Sequence, residues 1–312
     1  MSADNPNPLR MPFVIGLGEL LWDCFPAGRL PGGAPANVAF HVQQLGIPAA
    51  VATSVGTDPL GDELVAFLTA KGLRTDLVQR DPVHPTGTVT ATPRPDGHTD
   101  YVFLEDCAWD HLRLADESRV AFTKANAIVF GTLAQRSAGN RKLYHGELHL
   151  RSDCLTVYDI NLRPPFYEAA WIWQSIEMAR VVKMNDDEAR ILAEMLSVPA
   201  ASPVEVARRL LDRYFKLDLV CITRGGNGAI GVTRQETVEV PGVSVQVVDT
   251  VGAGDAFTAA LIAFRLYEWP LETTLHYANR IGALVASRPG AMPDLRDEIA
   301  ALKAEPRWIP FR

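Results

Sequence analysis

The sequence predicts an α/β protein: a mostly parallel central sheet with helices on both faces, plus a small β-sheet lid. Three observations carry that expectation. With 312 residues, 47% of them hydrophobic, there is apolar material for one large core. From residue 121 onward, short β-prone runs alternate with helical patterns. Between residues 83 and 105 that alternation gives way to a hairpin-like stretch.

In chain order, Phe13 to Leu21 reads as a buried first strand interrupted by Gly16 and Gly18. A Gly/Pro-rich stretch, Phe25 to Pro35, leads into a helix from Ala36 to Leu45 that ends near Gly46. Ala49 to Val55 is a second strand, and Asp62 to Lys71 a helix stopped by Gly72. Thr88 to Thr92 is β-prone, Pro93 to Gly97 is a turn, and Asp100 to Leu104 resumes β-prone sequence. Later strands are expected at Ala127–Phe130, Leu155–Tyr158, Val181–Met184, Leu219–Thr223, Ala229–Val232 and Val243–Val248. Helices are expected at Asn140–His149, Val204–Tyr214 and Ala253–Tyr267. One domain spanning 1–312 is the expected organisation, with the lid drawn from about 22–34 and 85–106.

Composition removes several function classes. A net charge of −7 disfavours a nucleic-acid binder, which needs a basic face to neutralise phosphates. A local anion site is still allowed, because backbone N–H groups hold phosphate without net charge. The four cysteines, Cys24, Cys107, Cys154 and Cys221, show no metal-ligand spacing and fit a reducing compartment. The polar start, Met1 to Pro12, lacks the apolar core of a signal peptide, and no run approaches the ~18 apolar residues of a membrane span. A cytoplasmic protein without membrane or nucleic-acid partners is expected.

The most chemically specific segment is Asp249-Thr-Val-Gly-Ala-Gly-Asp-Ala-Phe257. Gly252 and Gly254 allow a tight turn, and the following helix points free N–H groups and its positive dipole end at the same spot. That arrangement suits a transferring phosphoryl group. Asp255 stands at the helix start, where a carboxylate can take a proton from an alcohol. In isolation, Asp255 could equally cap the helix and the glycines merely turn the chain. Other motifs fail: Gly16-x-Gly18 continues to Leu21 where a dinucleotide fingerprint needs glycine, and no Gly-Lys-Ser/Thr string exists. His145 and His149 lie one turn apart, but the string is not H-E-x-x-H.

Asp249 to Phe257 resembles the C-terminal signature of the ribokinase-like, or PfkB, carbohydrate kinases. Gly18-Glu19 with Asp23, then Gly32-Gly-Ala-Pro-Ala-Asn37-Val-Ala39, resembles the sugar-binding region of that family. Asp159-Ile-Asn161-Leu-Arg163, Asn185-Asp-Asp-Glu188, Thr223-Arg-Gly-Gly-Asn-Gly228 and Pro289-Gly-Ala291 resemble further family elements, in the right order. The resemblance runs from about Val14 to about Pro293 and lies nearest to fructokinases.

The resemblance implies a ribokinase-like fold and transfer of the γ-phosphoryl of ATP to a sugar hydroxyl. Asp255 would be the base, and the backbone N–H groups of Gly252, Ala253 and Gly254 the anion hole. Asp23, Asn37, Arg163 and Asp255 would contact sugar, with Gly32 and Gly33 letting backbone approach. Thr223, Gly225, Gly226, Gly228, Gly254, Asn185, Asn279 and Ala283 would line the nucleotide. Asn185 and Glu188 would hold Mg2+ through water, although Asn-Asp-Asp-Glu is also an ordinary first helical turn. A K+ site is implied at the Asp249 carboxylate and the carbonyls of Val251, Val285, Arg288 and Gly290. Tyr101, Phe103, Trp109 and Asp110 are candidates to cover the sugar, or else to belong to the core. Fructose, phosphorylated at O6, is the first substrate expectation. The alternatives are 2-keto-3-deoxygluconate, ribose, a nucleoside, or a sensor that binds without turnover. A lid edge strand could pair with a second subunit as a homodimer.

Overall fold

A computed structural model describes residues 11–26, 28–93, 99–149, 151 and 153–311. The N-terminal start and most of the Pro93–Gly97 turn lie outside the described residues, as does the Tyr101 side chain. The chain opens with β1 (Val14–Leu17), β2 (Leu21–Phe25), β3 (Gly28–Gly32), α1 (Ala34–Gln44), β4 (Ala49–Gly56), α2 (Pro59–Ala70) and β5 (Val78–Asp81). A hairpin follows, β6 (Gly87–Pro93) and β7 (Thr99–Phe103), and then a 3₁₀ turn (Ala108–His111). Next come α3 (Asp116–Lys124), β8 (Ala127–Phe130), α4 (Ala138–Leu148), β9 (Leu155–Asp159), α5 (Ala169–Met178), β10 (Val181–Asn185) and α6 (Asp186–Met195). The chain continues with α7 (Pro203–Arg213), β11 (Leu219–Thr223), β12 (Ala229–Val232), β13 (Thr237–Val240), α8 (Ala253–Leu266), α9 (Leu271–Ala286) and α10 (Arg296–Lys303).

Nine strands form the main sheet in the order β13-β12-β11-β10-β9-β8-β1-β4-β5. It is parallel from β11 to β5, with β12 and β13 antiparallel at one edge. Consecutive strand residues enter opposite cores. Val14, Val181 and Leu219 face α1, α8 and α9, whereas Ile15, Val182 and Val220 face the side covered by α4 to α7. Burial on both faces explains why these strands read as unbroken apolar runs. Helix starts follow local chemistry. Asp58 Oδ1 accepts the Gly61 N–H at 2.8 Å, and capping boxes close Asn185–Glu188 and Ser202–Glu205.

A second sheet, β3-β2-β6-β7, stands apart from the first. Its middle pair, β2 with β6, is parallel, and the outer pairs are antiparallel. Residues expected as one strand, Phe13 to Leu21, therefore divide: β1 belongs to the main sheet, and β2 starts the small one. The stretch Phe25 to Pro35 contains β3 as well as a turn. The strand expected at Val243–Val248 is absent. Pro241 lacks the N–H that a ladder needs, and β13 ends just before it. Beyond that point, Val247 and Val248 are exposed, and the Val248 and Asp249 N–H groups bond to the Ala286 carbonyl of α9.

The segment leaving β7 is pinned by a buried ion pair. Arg136 Nε and Nη2 donate to the two Asp110 oxygens at 2.7 and 2.6 Å, and Nη2 also reaches the Leu104 carbonyl at 2.5 Å. The guanidinium stacks 4.0 Å from the Trp109 ring. Trp109 and Asp110 are thus buried structural residues that do not line the protein's main cleft. Removing one partner of a buried pair strands the other charge. Arg136→Met is therefore expected to lower stability by roughly 3–5 kcal/mol in urea unfolding, and a loss below about 1 kcal/mol, the scale of an exposed pair, would contradict that.

Candidate active site

Sequence-distant segments meet in one cleft of about 1150 Å³ between the small sheet and the C-terminal ends of the parallel strands. At its centre, α8 begins. Gly252 caps that helix in the left-handed conformation, φ 78°. A Cβ there would come 2.6 Å from Ala291 Cα, so only glycine permits this crossing. Gly252 and Gly254 N–H groups have no protein acceptor among the described residues, whereas the Ala253 N–H makes a long 3.3 Å bond to the Thr250 carbonyl. The anion hole expected from three N–H groups therefore has two uncommitted donors.

Asp255 lies in the first turn of α8. Its Oδ2 accepts from Asn37 Nδ2 at 2.7 Å, joining residues 218 positions apart. Burial pushes the Asp255 carboxyl up to about 6. The Asp159 charge adds to that rise, while Asn37, Lys183 and Arg163 oppose it. Beneath, Lys183 Nζ on β10 pairs with Asp159 Oδ1 on β9 at 3.1 Å, and Thr258 Oγ1 on α8 lies 2.8 Å from Asp159 Oδ2. Lys183 is buried, and its neighbouring carboxylates outweigh burial to keep it charged.

On one side of Asp255 lie Asp23, Gly33, Asn37 and Arg163. Gly32 sits behind them, where a Cβ would collide with the Asp23 carboxylate. Glu19 also lines this half, with Oε1 accepting the Ala34 N–H at 3.2 Å and Oε2 buried without a partner. Burial raises Asp23 to about 6 and Glu19 to about 7, and the Arg163 charge works against both rises. Phe103 of the small sheet reaches this half. On the other side lie Asn185, Thr223, Gly225, Gly226, Gly228, Asn279 and Ala283.

Of the remaining expected residues, Val251 lines the cleft and the others stand outside its lining. Glu188 Oε1 and Oε2 accept the N–H groups of Leu162 and Asn185 at 2.9 and 2.8 Å, and each oxygen keeps a second lone pair. Such a carboxylate suits a hydrated ion held through water better than a direct ligand. Asp249 clasps two loops, Oδ1 accepting from Val251 N–H at 3.0 Å and Oδ2 from Gly290 N–H at 3.0 Å. Val285 and Arg288 are joined by a 2.9 Å backbone bond, so the five expected cation ligands form one neighbourhood.

Residues 19–298 match the pfkB family of carbohydrate kinases. The chain belongs to that family. Among curated relatives, rice (Oryza sativa subsp. japonica) fructokinase-1 is 33% identical, with 94% of this chain and 98% of that protein covered. Maize (Zea mays) fructokinase-1 is 32% identical, with 93% and 96% covered. Among solved structures, Xylella fastidiosa fructokinase with bound ATP superposes with a TM-score of 0.83 at 25% identity, covering 93% of this chain and 98% of that one. A Vibrio cholerae fructokinase double mutant bound to fructose, ADP and potassium gives 0.80 at 26%, covering 93% and 98%. The fold is thus that of the PfkB kinases, and the chain is a sugar kinase.

Lys183, Asp159 and Glu19 are residues that motif reading left without roles. Their signal was a charged side chain inside or next to a run that is otherwise fully buried. For Gly252→Ala, the added Cβ would press on Ala291 and shift the α8 start, so its N–H, though kept, would be misplaced. The expected result is a fall in kcat of about 10²–10³-fold, the scale of an oxyanion donor put out of reach, with the circular dichroism of the folded protein checked alongside. Unchanged turnover would remove Gly252 from the site.

Proposed function

We propose that this sugar kinase phosphorylates D-fructose at O6, with ATP as donor and Asp255 as general base. The carrying observation is the charge of the sugar half. Three carboxyl groups, Glu19, Asp23 and Asp255, share one guanidinium without an ion-pair partner among the described residues, Arg163, while Lys183 is already paired with Asp159. Such a surface offers acceptors to the hydroxyls of a neutral polyol and repels a second carboxylate. A sugar acid such as 2-keto-3-deoxygluconate is therefore the poorer fit, and the fructokinase relatives support the ketohexose.

In this reading, Asp23 and Asn37 accept and donate hydrogen bonds to sugar hydroxyls. Asn37 also holds the Asp255 carboxylate in place through Nδ2. Asp255 accepts the O6 proton as the oxygen attacks the γ-phosphorus in line. The Gly252 and Gly254 N–H groups and the N-terminus of α8 face the charge that develops on the transferred group. Lys183 stands beneath, where a Cβ on Gly254 would lie 3.2 Å from its Nζ. Thr223, Gly225, Gly226, Gly228, Asn279 and Ala283 receive the nucleotide. Asn185 and Glu188 would stand behind hydrated Mg2+, which when bound neutralises phosphate charge. Asp249 with the carbonyls of Val251, Val285, Arg288 and Gly290 would hold K+.

The small sheet would act as a lid that shuts water from the site, and Phe103 is the side chain placed to follow the sugar. Its outer strands β3 and β7 each leave one edge unpaired among the described residues, which supports a homodimer through the lid. No helix among the described residues is long and apolar enough to cross a membrane.

The test is a coupled ADP assay with fructose, ribose, a nucleoside and 2-keto-3-deoxygluconate, run from pH 5 to 8. Fructose is expected to give the highest kcat/KM. Asp255 must be ionised to take the proton, and its carboxyl is raised to about 6. The fructose kcat/KM is therefore expected to fall as pH drops through about 6, approaching tenfold or more per unit because Asp23 titrates in the same range. A sugar acid outcompeting fructose, or a rate flat down to pH 5, would contradict the assignment.

A further inference from the structure

Away from the cleft, the described residues hold one cluster of metal-binding composition: His84, Asp106 and His111. His84 lies between β5 and β6, Asp106 follows β7, and His111 closes the 3₁₀ turn. The cluster thus spans the two chain segments that tie the β6–β7 hairpin to the body of the protein.

Both imidazoles point one nitrogen at the same oxygen. Asp106 Oδ1 is 2.7 Å from His111 Nε2 and 3.9 Å from His84 Nε2. All three candidate donor atoms lie within 4.8 Å of one another. Donors bound at 2.0–2.1 Å in a tetrahedron stand about 3.3–3.4 Å apart. The separations present here bracket that value, so modest side-chain rotation brings the set to one ion. The rings, stacked with centroids 3.5 Å apart, must splay as they close on it.

The far side of His84 decides its proton. Nδ1 lies 2.8 Å from Asp81 Oδ2, and Asp81 Oδ1 accepts the Val83 and His84 N–H groups at 2.7 and 3.0 Å. Asp81 is an acceptor only, so His84 Nδ1 carries the hydrogen. In neutral His84, Nε2 is then a bare lone pair facing the Asp106 carboxylate oxygen. Two acceptor atoms 3.9 Å apart with no hydrogen between them are reconciled by a cation that both contact. A carboxylate behind the second nitrogen is also how metal-bound histidines are oriented.

We propose that His84, Asp106 and His111 bind a divalent transition ion of the zinc type, with Asp81 positioning His84. Two imidazoles and one carboxylate select Zn2+, Co2+ or Ni2+ over Mg2+. Asp106 is 77% exposed, which leaves room for water in the fourth position. Loading requires His111 to carry its hydrogen on Nδ1 rather than on the Nε2 now beside Asp106. The bound ion fastens both legs of the hairpin and so restrains the small sheet.

The test uses the full chain, stripped of metal and free of nucleotide, titrated with Co2+. One equivalent is expected to give the visible absorption of four-coordinate Co2+ and to raise the Tm. Asp106→Asn and the double variant His84→Ala/His111→Ala are each expected to lose both signals; thermal unfolding without metal confirms that they fold. Asp81→Asn places an amide N–H against His84 Nδ1 and forces the opposite tautomer, weakening Co2+ binding by about 10–100-fold. Absorption that persists undiminished in the double variant would put the ion elsewhere, on the cleft or on Cys24, and overturn the site. Absence of any absorption or Tm change in wild type at millimolar Co2+ would overturn it too.

Discussion

Holding the Asp255 carboxylate out of water, at the start of a helix, is the constraint on which the rest of the structure depends. A buried carboxylate is costly unless its charge is answered. Here Asn37 answers it from α1, Lys183 from within β10 and Arg163 from the loop after β9. Asp159 acts in the opposite sense, raising Asp255 while fixing Lys183 and approaching Thr258. The balance leaves Asp255 near 6, which is ionised at neutral pH yet basic enough to hold a proton in passing. Each of these partners sits on a different element, so the sheet order and the packing of α1 against α8 are what bring the group into being.

The same geometry divides the cleft. On one side the small sheet and α1 supply carboxylates and amides. On the other, β11, the loop after it and α9 supply glycine backbone and short side chains. Between them, the α8 N-terminus offers N–H groups and a positive dipole end. An acceptor-rich half and a donor-rich centre are what a hydroxyl losing a proton and a phosphoryl group gaining charge each need.

Much of this was legible in the sequence because parallel strands buried on both faces leave unbroken apolar runs, as at Val181–Met184 and Leu219–Thr223. The α8 start was legible because Gly252 and Gly254 bracket a forced turn. Val243–Val248 misled because alternating valines satisfy the strand period while Pro241 has already ended the ladder, a break only pairing partners reveal. β3 was hidden in a Gly/Pro-rich stretch because its pairing to β2 is tertiary. Lys183 carries no motif, and the motifs that contain Glu19 and Asp159 assign these two no role. Their roles arise from contacts between segments far apart in sequence, and the His84–Asp106–His111 cluster is of the same kind.

The central claim is that Asp255 takes the hydroxyl proton, and the most direct measurement compares wild type with Asp255→Asn. Sugar-stimulated ADP release and the Kd for ATP, by calorimetry, would be read on both proteins. The amide keeps the shape and the Asn37 contact but cannot act as base. A loss of about 10²–10⁴-fold in kcat with ATP affinity within about twofold is the predicted result. A variant that keeps more than about a tenth of wild-type turnover would show that the proton leaves by another route, and the account of the site would have to be rebuilt around a different base.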